Sequence, residues 1–199
     1  MALTKVQAEG INLADTFAFT GTVTGADMAL LHTSTVTSNV GEVQIDGLFT
    51  SAFKNYKIIG SNVHLETDNR NLNLKFMSGG SLLTGSVHRS SQIKLQSSDS
   101  TISGVVEQSD TEFAKCCGQN VGSATGEHTN FEIILYDPLA TDNFKAFSAK
   151  ANTISDITNN ILTYTEGFYN NGQSALSGIE IVPSSGNIAS GIFKLYGLR

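Results

Sequence analysis

The chain has 199 residues, a net charge of −6 and only 15% charged residues. Its acidity and the absence of any basic run exclude the electropositive face of a nucleic-acid binder. Its polar positions are filled by Ser, Thr, Asn and Gly, which suit strands and turns; amphipathic helices need Lys, Glu, Arg and Ala on their outer faces.

In chain order, the opening "MALTKVQAEG" has no apolar stretch of the kind a secretory leader carries, and no later run approaches the ~18 apolar residues of a membrane span. Within residues 1–26, Phe17, Phe19, Gly21 and Val23 alternate against Thr16, Ala18, Thr20 and Thr22. A soft boundary falls near Gly25–Ala26, so residues 1–26 read as an N-terminal arm ahead of a domain spanning 27–199, the alternative being that they are the first strand of the main domain itself. "MALLHTSTVT" follows as a strand. In "GEVQIDG", Val43 and Ile45 alternate against Glu42, Gln44 and Asp46. "NYKIIGSNVHL" and "LNLKFM" continue the pattern, and "ETDNRN" between them predicts a hairpin-like return.

Residues 90–128 are poor in hydrophobic residues and predict short strands at most, "STISGVV" being the best of them. "NFEIILYDP" is the clearest strand, with Phe131, Ile133 and Leu135 on one face and Pro138 closing it. "TISDITNNIL" has room for one short helical turn. The closing "GIEIV" and "GIFKLYGL" predict a hairpin joined by "PSSGNIAS". In its second strand Ile192, Lys194, Tyr196 and Leu198 share one face and Phe193 and Leu195 the other. Apolar groups on both faces place this strand inside a sheet or at a face between subunits. Turn signals every 8–12 residues fit an all-β antiparallel sandwich.

Chemistry-bearing patterns are sparse. Cys116 and Cys117 are adjacent and read as two small, semi-buried thiols, because neighbouring cysteines bridge each other only under strain. His32, His64, His88 and His128 form no H-x-H or HExxH pair, so each reads as a hydrogen-bonded or solvated strand histidine. In a trimer, a single histidine near the axis would supply three ligands. There is no P-loop, no G-x-S-x-G elbow, and no carboxylate pair whose separation the sequence fixes. The expectation is a non-enzymatic protein with no cofactor and no metal. "YTEGFYNNGQS" sets aromatic faces beside short polar groups, the composition of a carbohydrate site. Its candidate ligand-binding residues are Tyr164, Phe168, Tyr169, Asn170, Asn171 and Gln173. The competing reading is a turn whose aromatics cap the core.

Three blocks resemble a domain found in tailed-bacteriophage virion structural and tail-fibre proteins. They are "IDGLFTSAFKNYKIIGSNVHLETDNRNLNLKFMSGGSLLTGSVH", "NFEIILYDPLATDNFKAFSAK" and "EGFYNNGQSALSGIEIVPSSGNIASGIFKLYGLR". The last is the most specific, and residues 90–128 fall outside the resemblance. It implies a jelly-roll-like sandwich assembled as a homotrimer, located in the virion and made in the host bacterial cytoplasm. Other virion proteins and a host-surface glycan are the implied partners, with no nucleic acid and no membrane insertion. A trimer would cover the apolar side of the closing strand, which makes Phe17, Phe19, Ile192 and Tyr196 the candidate interface residues. Three roles are compatible: a small tail-fibre-type receptor binder, a capsid decoration protein, and, with least support, a glycan-degrading virion enzyme.

Overall fold

The computed structural model describes residues 27–85, 88–98, 103–156 and 159–199, without the side chains of 103–111 and 156. Residues 1–26, with Phe17 and Phe19, lie outside the described residues, and so does the choice between an arm and a first strand. The strands are β1 (Met28–Val36), β2 (Val43–Asp46), β3 (Asn55–Leu65), β4 (Arg70–Ser78) and β5 (Ser81–Leu82). They continue with β6 (His88–Gln96), β7 (Ser103–Thr111), β8 (Ala114–Val121) and β9 (His128–Tyr136). The last four are β10 (Lys145–Asp156), β11 (Asn159–Tyr169), β12 (Gly178–Pro183) and β13 (Ile188–Leu198).

They form two antiparallel sheets. The larger has the order β1-β13-β3-β9-β10-β11-β6-β7, and the smaller β2-β12-β4-β5, with β8 also pairing β4. The fold is an all-β sandwich. Its core is built by alternation along the strands. Tyr56 and Ile58 on β3, Phe131, Ile133 and Leu135 on β9, and Phe193 and Leu195 on β13 point inward from the larger sheet. Val43 and Ile45, Leu72, Leu74 and Phe76, and Ile179 and Ile181 meet them from the smaller. Burying one such side chain contributes about 1.5–3 kcal/mol.

β13 lies between β1 and β3, inside a sheet as its two apolar faces require. The pairing nests. β1 takes β13, β2 takes β12, β3 takes β9 and β4 takes β8.

Four local expectations change. β12 and β13 are not a hairpin, because β12 pairs β2 and β4 in the smaller sheet while β13 crosses to the larger. The "ETDNRN" turn likewise carries the chain from one sheet to the other, from β3 to β4. Alternation fixes which face is buried but not which strand is the neighbour, so both segments looked like local returns. Residues 90–128 hold most of β6, all of β7 and all of β8, rather than short fragments. Their buried positions are filled by polar side chains such as Ser90 and Gln92, so hydrophobic alternation is weak there. In the stretch 153–162 the described residues are paired strand ends, with Ile154 opposite Asn160 and Asp156 opposite Asn159, where a helical turn was expected.

Candidate functional site

The outward face of the larger sheet gathers residues from β1, β13, β3, β9, β10, β11 and β6 into cross-strand rows. One row runs Leu30, Tyr196, Lys57, Ile134, Ser148, Glu166, Ser91. The next runs Thr33, Lys194, Ile59, Glu132, Lys150, Tyr164, Ile93. On β13, β3, β9, β10, β11 and β6 each of these residues is one step from a buried residue on its own strand, so the alternation that builds the interior also fixes what this face displays.

The face mixes charge with apolar surface. Lys57 Nζ lies 2.7 Å from Glu132 Oε2, a partly exposed pair contributing about 0–1 kcal/mol. Lys150 Nζ sits 5.8 Å from the centroid of the Tyr164 ring. Tyr136 Oη and Ser148 Oγ share a hydrogen bond of 2.9 Å. Leu30, Ile93, Tyr136, Tyr164 and Ile192 are exposed.

Two shallow hollows adjoin here. One of about 250 Å³ is lined by Ile59, Ser61, Asn130, Glu132, Lys150 and Asn152. The other, of about 160 Å³, is lined by Glu132, Ile134, Ser148, Lys150, Tyr164 and Glu166. Glu132 and Lys150 line both. Each is smaller than the ~300–1,000 Å³ typical of an enclosing small-molecule pocket. Such a surface suits a ligand laid across it, with an aromatic ring, two carboxylates, an ammonium and two amides within one sheet face.

The six ligand residues expected from sequence divide. Tyr164 and Phe168 are on the outward face; Phe168 is half-buried against Phe144, ring centroids 5.9 Å apart. Asn171 and Gln173 are exposed in the loop after β11, and Asn170 is half-buried there. Tyr169 does not belong with them. It points inward, is 5% exposed and packs edge-on to Phe76 and His88. Burial pushes its phenol pKa up. The one-residue step from Phe168 to Tyr169 moves the side chain to the other face of the sheet. Of the candidate interface residues, Ile192 is exposed and Tyr196 half-buried on the outward face.

Sequence reasoning missed two features beneath the site. Lys145 is buried, and its Nζ donates to Asn143 O at 2.6 Å and Gln173 O at 3.0 Å, tying the loops on either side of β10 and β11 together. Burial lowers its pKa, opposed by the charges of Asp137 and Asp142. The second feature is a polar seam that joins the sheets. Gln92 Nε2 donates to Lys115 O at 2.7 Å and Thr165 Oγ1 at 2.8 Å, and Gln119 donates to Gln92. Thr129 Oγ1 donates to Cys117 O at 3.1 Å and lies 2.9 Å from Thr153 Oγ1.

The cysteines are free and wholly buried, their Sγ atoms 3.7 Å apart. Both turn inward because β8 bulges there: Leu72 pairs with Gly118 and Leu74 with Ala114. Burial holds the Cys117 thiol well above its ordinary pKa, which leaves it a poor nucleophile. Among the described residues there is no group of three or more His, Cys, Asp or Glu placed to hold a metal, and no helix long and apolar enough to cross a membrane.

No family model matches the chain, and no curated protein or solved structure matches it either.

Proposed function

We propose that this chain is a virion structural protein of a tailed bacteriophage, a small tail-fibre-type component that presents a trimeric β domain to a host-surface glycan. Residues 1–26 are its attachment arm in this reading. The observation that carries it is the outward face of the larger sheet. Tyr164 and its neighbours put an open aromatic and polar surface on a rigid scaffold, which suits an extended carbohydrate better than an enclosed substrate. The fold supports the resemblance through its nested pairing. With β5 and the hairpins β6–β7 and β10–β11 set aside, the sheets reduce to β1-β13-β3-β9 and β2-β12-β4-β8. This order supports the jelly-roll reading, in which a long antiparallel ribbon rolls up and its first strand meets its last.

A second reading, capsid decoration, draws on a different part of the face. Met28 and Leu30 lie opposite Leu198 and Tyr196, an apolar block directly after residue 27, where the arm enters. A protein that cements a shell needs contacts near its arm and can leave the far end of the sheet inert.

Immunogold electron microscopy on intact particles separates the readings. Label at the tail supports the fibre role. Label over the head supports decoration, and unlabelled particles count against both. Binding is tested on a glycan array with the unmodified chain and Tyr164→Ala. The fibre reading expects retention on at least one glycan that the variant loses. Assembly is tested by light scattering on Tyr196→Glu, which is expected to dissociate the trimer; an unchanged mass would remove Tyr196 from the interface.

A further inference from the structure

Two of the four histidines, far apart in sequence, meet in the fold. Val63 of β3 pairs with Thr129 of β9, both fully buried, so one step further along the ladder His64 stands opposite His128 on the outward face. Their ring centroids are 5.7 Å apart, with the planes inclined by 43°. Both are half-buried. Two imidazoles on one tetrahedral ion, with metal–nitrogen bonds of about 2.0 Å, would have centroids about 5 Å apart. The observed spacing is within a small side-chain rotation of that.

A second contact orients the pair. His128 Nδ1 lies 2.9 Å from Gly126 O. A carbonyl can only accept, so Nδ1 carries a proton, and in the neutral ring this leaves the lone pair on Nε2. Metal-bound histidines are held in this way, one ring nitrogen donating to a backbone carbonyl while the other binds the ion. The ladder neighbours, Ser190 beside His64 and Ile154 beside His128, bring no charge to the site.

We propose that His64 and His128 form a two-histidine site for a borderline divalent cation such as Zn²⁺, Ni²⁺ or Cu²⁺, with water in the remaining positions. Imidazole nitrogen selects these ions over Mg²⁺ and Ca²⁺. The bound ion clips β3 to β9 across the ladder, and its open positions offer a place for an oxygen ligand at the edge of the hollow lined by Asn130 and Asn152.

The test is calorimetric titration of the full chain with Zn²⁺, compared with His64→Ala, His128→Ala and the control His32→Ala, each checked for a native circular dichroism spectrum. One ion per chain is expected, with affinity reduced more than about tenfold in either site variant, since losing one ligand removes the chelate advantage. The control should match the unmodified chain. Because a variant can misfold, the unmodified chain is also loaded with one equivalent of Cu²⁺ and its electron paramagnetic resonance recorded. Hyperfine structure from two imidazole nitrogens is expected. No Zn²⁺ uptake, equal affinity in either site variant and the unmodified chain, or a copper signal from oxygen ligands alone would each overturn the site.

Discussion

Tyr164 and Tyr169 lie on the same strand, an odd number of residues apart, and therefore on opposite faces of the larger sheet. Tyr169 fills core space against Phe76, while the ring of Tyr164 is exposed beneath the Lys150 ammonium. Tyr169→Ala should cost about 3–5 kcal/mol, the range for deleting a buried ring. Tyr164→Ala should stay within ~0.5 kcal/mol, as expected of a surface change. Urea midpoints of the two variants check both values. Lys145 carries a different signature. Its folded pKa is lowered, so between that value and the ordinary lysine value the folded chain holds fewer protons than the unfolded chain. Stability from this group therefore rises with pH across that window and is least below it. Urea unfolding from neutral pH upward should show the rise in the unmodified chain and a flatter curve in Lys145→Met. At this scale the sequence is only half legible. The aromatic and polar composition of 164–173 was visible, but a single residue step decides which ring is in the core, and strand phase comes from the neighbours. Nothing in the sequence marked Lys145 as buried, because its partners are backbone carbonyls at Asn143 and Gln173.

Neighbouring strands of the larger sheet fit by ring over glycine. The ring of Phe131 on β9 lies where a Cβ on Gly60 of β3 would fall, 2.1 Å from Phe131 Cε1. The same device recurs where Phe147 covers Gly167 between β10 and β11. Gly60→Ala should cost about 1–3 kcal/mol by overpacking. Phe131→Leu in the Gly60→Ala background should recover part of that loss, a coupling that a double-mutant cycle in urea would measure. Strands with apolar alternation, such as β3, β4 and β9, were legible as strands. Which strands pair was not, because partners in a nested fold are distant in sequence and a turn motif does not say whether the chain returns to the same sheet. β6 and β8 were obscured for another reason. Their inward positions include Ser90, Gln92, Cys116 and Cys117, and their fit depends on the hydrogen bonds of the Gln92 seam rather than on hydrophobic contrast.

Across the whole molecule, the outermost pair of the nest joins the two ends of the described chain, β1 with β13. Deleting 188–199 removes the strand between β1 and β3 and strips Phe193 and Leu195 from the core. The shortened chain should be unfolded or aggregated, with no cooperative thermal transition by circular dichroism and rapid loss to limited proteolysis. A native-like melt would mean that β1 and β3 can close on each other. The nesting also sets a timetable for synthesis. Val36 leaves the ribosome's active site long before Ile188 is added, and at 5–20 residues per second the interval is roughly 8–30 s. Through that interval β1 has no partner among the described strands, and β3 lacks its neighbour on one side. A ribosome stalled anywhere short of Ile188 releases a chain with sticky sheet edges, and only one that reads through to the closing strand yields a closed sandwich.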